Sequence, residues 1–289
     1  SLSTMAKNVL VTGGNAGIGR AACKLLAAED GCRVFMGSRS MERGAEALAG
    51  IISEAPAGAG KIEVVQLDVS DAASVAAAAA TVKAALGGEP LYGIVNNAGA
   101  GLAQGGVTEE QVVDVNLYGC KRVCDAFVPL LAAGGRVVNL GSGLGPGWMS
   151  RASEAQKATL CSPDVTWEQV VALAAADLAS QGQGQNGAKG SGMNAYGLSK
   201  AALMSLTTIL ARSGVVASTV SPGFVDTNMT KGFGAPLTPE QGTASIRHAL
   251  LAELKGNGFM YGSDCLRAPI DASRDPGDPE YTDPTGRGW

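Results

Sequence analysis

Short β-branched runs alternate with helical stretches along the first half of the chain, and this alternation constrains the fold more than any other feature. The predicted strands are the runs 8–11, 32–36, 62–67, 91–96 and 136–140, and the helical stretches between them are 17–29, 41–53, 72–86 and 109–131. Parallel strands need crossover helices of this kind, and the helices then cover both faces of the sheet. The pattern therefore predicts an α/β fold with a doubly wound parallel sheet.

The alternation stops after Leu140 and returns near residue 194. Residues 143–195 hold a glycine-rich run, a predicted helix over 167–179 opened by a Ser162-Pro163-Asp164 start, and a polar run over 181–187, so we predict a helical insertion. The regular elements that follow are predicted helices over 194–212 and 238–254 and predicted strands over 215–220 and 259–261. Residues 271–289 show no periodicity and are predicted to form an irregular C-terminal tail, within a single domain that spans 1–289.

Charge and hydropathy argue against several classes of partner. The chain carries 22 Lys and Arg against 26 Asp and Glu, a net charge of −4, so we expect neither nucleic acid nor an anionic membrane surface as a partner. No run of 18 apolar residues is present to span a bilayer. Six scattered cysteines and a single histidine, His248, argue against a metal site and against a Ser-His-Asp hydrolase. Because Met5 is followed at once by a strand, we expect a cytoplasmic protein, or an organellar one from which a transit peptide was removed.

The turn between the first strand and the first helix is rich in glycine. Gly13, Gly17 and Gly19 follow a G-x-x-x-G-x-G spacing, which differs from the G-x-G-x-x-G dinucleotide fingerprint. Glycines there would let a pyrophosphate approach the backbone at the helix N-terminus. Tight strand-to-helix turns also use glycine for structural reasons alone, so the turn indicates a nucleotide site only together with other motifs.

The end of the second strand carries Ser38 and Arg39 and no carboxylate. An acidic side chain at this place would hold a ribose 2′-hydroxyl, whereas a guanidinium would pair with a 2′-phosphate. The run therefore favours NADP over NAD. A solvated arginine at a loop edge is the alternative interpretation.

Tyr196 and Lys200 lie at positions i and i+4 of the helix predicted over 194–212, on one helix face. Lowering a phenol pKa by about three units takes roughly 4 kcal/mol. A lysine charge at about 4 Å supplies about that amount at an effective dielectric of about 20. The pair is therefore a candidate acid–base catalyst, and a helix surface with a solvated lysine is the alternative.

Together these motifs resemble those of the short-chain dehydrogenase/reductase family, in the family's order. The matching residues are 12–19, Asp68-Val69, 96–99, Asn116, Ser142, Tyr196 with Lys200, Pro222-Gly223 and Thr227. The resemblance implies a single Rossmann-type sheet of about seven strands. It also implies roles for four residues. Tyr196 would donate a proton to a carbonyl oxygen, Ser142 would hydrogen-bond that oxygen, Lys200 would bind the nicotinamide ribose and lower the tyrosine pKa, and Asn116 would hold a water in the proton relay.

The same resemblance implies a set of cofactor contacts. They are Gly13, Asn15, Gly17, Ile18 and Gly19 in the glycine turn, Ser38 and Arg39 at the 2′-phosphate, Asp68 and Val69 at the adenine, Asn96, Ala98 and Gly99 at the adjoining ribose, Pro222, Gly223, Val225 and Thr227 near the carboxamide, and Tyr196 and Lys200. Ala16 departs from the pattern, because NADP-preferring relatives often carry a basic residue there.

The long stretch between Ser142 and Tyr196 is similar to that of the monomeric carbonyl reductases and of the salutaridine and menthone reductases. This similarity implies an NADPH-dependent reductase of small ketones or aldehydes that acts as a monomer. Two alternatives are a 3-oxoacyl thioester reductase and a regulator that senses NADP without turnover. Four apolar residues near the site either line a substrate pocket or pack the insertion: Leu144, Trp148, Met193 and Phe224.

Overall fold

The computed structural model describes residues 6–101, 106–180 and 193–283. Within these ranges it contains one eight-stranded sheet in the order β3-β2-β1-β4-β5-β6-β7-β8. The strands are β1 (Asn8–Val11), β2 (Arg33–Ser38), β3 (Ile62–Gln66), β4 (Leu91–Asn96), β5 (Leu131–Leu140), β6 (Val216–Val220), β7 (Phe259–Tyr261) and β8 (Arg267–Ala268). All neighbours pair in parallel except β7 and β8, which pair antiparallel. The predicted doubly wound sheet of Rossmann type is confirmed, and β8 is an additional short edge strand.

The helices cross over between the strands and pack on both faces of the sheet. They are α1 (Gly17–Ala28), α2 (Met41–Glu54), α3 (Ala72–Leu86), α4 (Glu109–Val113), α5 (Gly119–Phe127), α6 (Leu144–Met149), α7 (Glu154–Leu160), α8 (Trp167–Ser180), α9 (Met193–Arg212) and α10 (Ala244–Leu251). A π-helical turn, Asp114–Tyr118, joins α4 to α5.

Two hydrophobic layers hold the helices to the sheet. In β1, Val9 and Val11 face the layer formed with α1, α2 and α10, whereas Leu10 faces the layer formed with α3, α5 and α9. Successive strand side chains point to opposite faces, so a strand covered on both sides is expected to be apolar at most positions. This requirement explains the continuous apolar runs, and it leaves the polar residues at the carboxyl ends of the strands.

The insertion forms α6, α7 and α8, which pack against α9. Its apolar side chains, Trp148, Leu160 and Val170 among them, form a third cluster with Leu198 of α9. The predicted Ser162–Asp164 start does not cap α8. Thr166 does so instead, because its Oγ1 accepts a hydrogen bond from the Gln169 amide at 3.3 Å while Gln169 Oε1 accepts one from the Thr166 amide at 2.9 Å. The polar run over 181–187 lies outside the described residues.

The helix predicted over 109–131 is divided in the structure. It comprises α4, the π-helical turn, α5 and a short 3₁₀ turn, Val128–Leu130, after which β5 begins at Leu131. Pro129 has no amide proton for an α-helical hydrogen bond, so α5 ends at Phe127. Of the tail, residues 271–283 are described, and they contain neither helix nor strand.

Candidate active site

Ser142, Tyr196 and Lys200 meet at the carboxyl end of β5. Ser142 follows the last residue of β5 by two positions, and α9 presents Tyr196 and Lys200 on the face that packs against the sheet. The Ser142 side chain lies close enough to Tyr196 to act on the pKa of the phenol. The Lys200 Nζ donates a hydrogen bond to the Leu140 carbonyl at 2.7 Å and lies 5.5 Å from the centre of the Tyr196 ring. The structure thus brings together three of the four side chains to which the resemblance assigns a catalytic role, and the fourth, Asn116, does not line the cleft that holds Tyr196.

Burial controls the protonation of this pair. It raises the pKa of Tyr196 to about 12, although the Ser142 side chain acts in the opposite direction. It also lowers the pKa of Lys200 to about 8. Both charged forms lose their water in the site, and this loss is the largest cause of each shift. The lowered tyrosine pKa expected from the spacing is therefore not present, and the phenol keeps its proton at neutral pH.

Asn116 lies in the π-helical turn, and its side chain is fully buried. Its Oδ1 accepts from the Ala100 amide at 2.8 Å, and its Nδ2 donates to the Ala100 carbonyl and to Ser199 Oγ, both at 3.0 Å. Ser199 in turn donates to the Tyr196 carbonyl at 2.7 Å. The carboxamide therefore ties the loop after β4 to α9. π-Helical turns are frequent at functional sites.

A cleft of about 1490 Å³ runs from the glycine turn to Tyr196. This volume exceeds the roughly 300–1,000 Å³ of an ordinary ligand pocket. The predicted residues that line the cleft are Gly13, Asn15, Gly17, Ile18, Arg39, Asp68, Val69, Ala98, Gly99, Ser142, Tyr196, Lys200, Pro222, Gly223, Val225 and Thr227.

Three predicted cofactor residues do not line the cleft, and each has a structural contact instead. A Cβ on Gly19 would lie 2.3 Å from the Asn97 Nδ2, so this glycine is needed where α1 packs against the Asn97 side chain. Ser38 is buried and donates to the Ser40 carbonyl at 2.8 Å. Asn96 is also buried, and its Nδ2 donates to Asn139 Oδ1 at 2.8 Å across β4 and β5.

Asn97 lines the cleft in place of Asn96. Its Nδ2 donates to the Thr12 carbonyl at 2.8 Å and to the Gly13 carbonyl at 3.2 Å, and its amide donates to Thr12 Oγ1 at 3.0 Å. These bonds hold the glycine turn against the end of β4. The alternation of side chains along β4 could have predicted this difference, because Asn96 is the last residue of the strand and points into a covered face.

Arg43 is a second cleft residue that the sequence reasoning missed. It lies in the first turn of α2, four positions after Arg39, and Ser40 caps this helix by accepting a hydrogen bond from the Arg43 amide at 3.2 Å. Both arginines are exposed, and neither guanidinium forms an ion pair with any residue that the structure describes. The sequence could have predicted this residue, because Arg39 and Arg43 lie on either side of Ser40, the residue that caps α2.

The Tyr196 end of the cleft has an apolar rim. Met193, Phe224 and Phe233 line it, and their exposed fractions are 45%, 46% and 57%. Leu144 lines the cleft as well. Trp148 instead packs inside the insertion, with its Nε1 donating to Asn194 Oδ1 at 3.0 Å.

Among the described helices, none combines the length and the apolar character that a bilayer span requires.

Comparison with known proteins agrees with this geometry. The model of the family described as short chain dehydrogenase matches residues 7–173. The chain is 34% identical to (+)-neomenthol dehydrogenase of Arabidopsis thaliana, over 84% of this chain and 90% of that protein. It is 30% identical to human carbonyl reductase [NADPH] 1, over 81% of this chain and 86% of the human protein. Salutaridine reductase from Papaver somniferum superposes with a TM-score of 0.75 at 26% identity, covering 88% of this chain and 99% of the other. The chain therefore belongs to the short-chain dehydrogenase/reductase family.

Proposed function

We propose that this protein is an NADPH-dependent reductase of ketones and aldehydes. The observation that carries the proposal is the buried, protonated Tyr196 phenol beside Ser142, within a cleft that also holds the glycine turn. The family consists of oxidoreductases that use a nicotinamide cofactor. The similarity to a human protein named as an NADPH carbonyl reductase supports the choice of cofactor and of substrate class.

The glycine turn fits the pyrophosphate of such a cofactor. Gly13 and Gly17 have φ angles of +63° and +51°, which favour glycine. Ala16, at the N-cap of α1, has no side chain that could cap the helix. The amide groups in the first turn of α1 therefore receive no capping hydrogen bond from the Ala16 side chain. The helix begins at Gly17 and Ile18, which line the cleft, so its N-terminus fits a pyrophosphate.

Arg39 and Arg43 support NADP over NAD. Two exposed guanidinium groups without ion-pair partners in the described residues stand at the cleft, and a 2′-phosphate would receive charge-assisted hydrogen bonds from them. The nearby Asp68 is engaged with Ser70, whose amide and hydroxyl donate to its carboxylate at 2.9 and 2.6 Å. Of the two residues predicted for the phosphate, Arg39 keeps this role, and Arg43 replaces the buried Ser38.

The chemistry follows from the positions of three side chains. NADPH held by the glycine turn, Arg39 and Arg43 would supply a hydride to the carbonyl carbon of the substrate. Ser142 and Tyr196 donate hydrogen bonds to the carbonyl oxygen, and the phenol then transfers its proton to that oxygen, so that the product is an alcohol. Lys200 supplies a positive charge that offsets the negative charge left on Tyr196.

The apolar rim of Met193, Phe224 and Phe233 favours an apolar carbonyl compound, because bound substrate would remove these exposed side chains from water.

The thiols agree with the reducing, cytoplasmic location that we propose. All six cysteines are free, and four of them are buried.

The test is the loss of NADPH absorbance with an aromatic aldehyde, a cyclic ketone, a quinone and a 3-oxoacyl thioester as substrates. We expect turnover of the first three with NADPH, and slower turnover with NADH. Turnover of the thioester alone would favour a 3-oxoacyl thioester reductase. NADPH binding without oxidation in any of the reactions would favour a sensor and would overturn the proposal.

A further inference from the structure

The C-terminal tail runs beside the catalytic end of the cleft. Its residues Ala272 to Pro276 line the same cleft as Tyr196. A Cβ placed on Gly147 would lie 3.9 Å from Ser273 Oγ, and Gly147 belongs to α6, which begins two residues after Ser142. This segment therefore lies at the substrate end of the cleft.

A partly buried ion pair holds the segment in place. The Arg274 guanidinium donates to the two carboxylate oxygens of Asp264 at 3.0 and 2.8 Å. The side chain of Arg274 is only 5% exposed, and that of Asp264 is 21% exposed. Arg274 also donates from Nε to the Pro279 carbonyl at 2.9 Å and from Nη2 to the Asp278 carbonyl. One side chain thus closes residues 274–279 into a loop and fixes that loop to the strand end after β7.

Further contacts anchor both partners of this ion pair. Asp264 accepts hydrogen bonds from the amides of Leu266 and Gly277, at 3.2 and 3.3 Å. Farther along the tail, the Tyr281 amide donates to the Arg267 carbonyl of β8 at 3.0 Å. The hydrogen bond from Arg274 holds the pKa of Asp264 at about 2. The ion pair therefore stays charged at every pH at which an enzyme of this kind works.

Burying a guanidinium costs free energy unless its N–H groups are hydrogen-bonded. A buried arginine is therefore not expected in a segment that serves only to cover the fold. Here four donated hydrogen bonds hold one arginine next to four tail residues that are exposed and line the cleft. We propose that residues 272–276 form a wall of the carbonyl-substrate pocket, and that Arg274, through Asp264, is the positioning residue that limits the size of the substrate. The inference rests on the proposed reductase function.

The experiment compares two probes, 4-nitrobenzaldehyde and the tricyclic 9,10-phenanthrenequinone, in Arg274→Ala, Arg274→Lys and the parent. Arg247→Ala is the matched control, because Arg247 makes a comparable two-bond ion pair with Asp30 at 2.8 and 2.8 Å and is absent from the cleft. Release of the wall in Arg274→Ala should raise the kcat/KM ratio of the larger to the smaller probe at least about fivefold, chiefly through KM. The KM for NADPH should not change. Lysine should restore the ratio only in part, since it lacks the planar fork.

Hydrogen exchange of the amides in 271–283 gives a second readout that does not depend on turnover. We expect faster exchange in Arg274→Ala and parental exchange in Arg247→Ala. An unchanged selectivity ratio in an active Arg274→Ala, or an equal change of the ratio in Arg247→Ala, would overturn the inference. A parent that reduces neither probe would instead overturn the proposed function, and the assignment of a substrate wall with it.

Discussion

The Lys200 ammonium donates a 2.7 Å hydrogen bond to the main-chain carbonyl of Leu140. Leu140 is the last residue of β5, and Ser142 follows it closely. This single bond therefore fixes the lysine on α9 relative to the strand end that carries Ser142. It also holds the ammonium in a site where only 4% of the residue is exposed, and this burial lowers the pKa of Lys200 to about 8.

Replacing Lys200 with methionine should stabilise the protein at neutral pH. The folded pKa of about 8 lies below the ordinary value of 10.5, so at pH 7 both states carry the charge and the folded state bears the full cost of burying it. Between those two pH values the unfolded chain still binds the proton that the folded chain has released, so the free energy of unfolding of the parent rises with pH. We expect Lys200→Met to gain about 1–3 kcal/mol at pH 7.

The measurement is thermal unfolding at pH 7 and at pH 10. The gain should shrink at the higher pH, and carbonyl reduction should be lost. Lys83→Met, at an exposed position of α3, is the control and should change the Tm little at either pH. A Lys200→Met variant that is less stable than the parent at pH 7 would mean that the buried charge is not a net cost.

Cofactor preference should depend on both arginines at the 2′-phosphate end. We expect Arg39→Asp to reduce kcat/KM for NADPH by about 10- to 100-fold and to affect NADH much less, since a charge-assisted bond to the phosphate becomes a repulsion. Arg43→Ala should act in the same direction with a smaller effect. Steady-state kinetics with the two cofactors measure this. Arg151→Asp makes the same change of charge at an exposed position outside the cleft, and it should leave the preference unaltered.

The insertion should keep the protein monomeric. In this structure α8 and the cluster around Trp148 and Val170 cover α9, the helix that bears Tyr196. We expect sedimentation velocity to show a single species near the chain mass of 29.0 kDa. A stable tetramer would refute this prediction.

Periodicity was sufficient for most of the sheet and for helices with strong local signals. The bounds of α3 were predictable at both ends, because Asp71 caps its first turn and Gly87 adopts the left-handed conformation at its end. The π-helical turn at Asn116 was not predictable, because residues 114–118 contain neither glycine nor proline to mark a change in the helix. The two-residue strand β8 is too short to produce an alternating pattern.

Site residues were predictable where a motif names the side chain, as at Ser142, Tyr196 and Lys200. Which of Asn96 and Asn97 faces the cleft depends on where β4 ends, and the motif contains both. The pKa values depend on burial, which the i, i+4 spacing of Tyr196 and Lys200 does not specify. The contact between Asp264 and Arg274 joins two irregular segments, and no periodicity relates them.

The central claim is that the Tyr196 phenol gives its proton to a carbonyl oxygen. The most direct measurement is the single-turnover rate of ketone reduction by Tyr196→Phe with saturating NADPH. Removal of a general acid should lower this rate by about 100-fold or more, while NADPH still binds. Tyr92→Phe is the matched control, because that hydroxyl donates to the Leu250 carbonyl at 3.0 Å and is absent from the cleft. If Tyr196→Phe reduces the ketone as fast as the parent, the proton comes from another group and the mechanism is wrong.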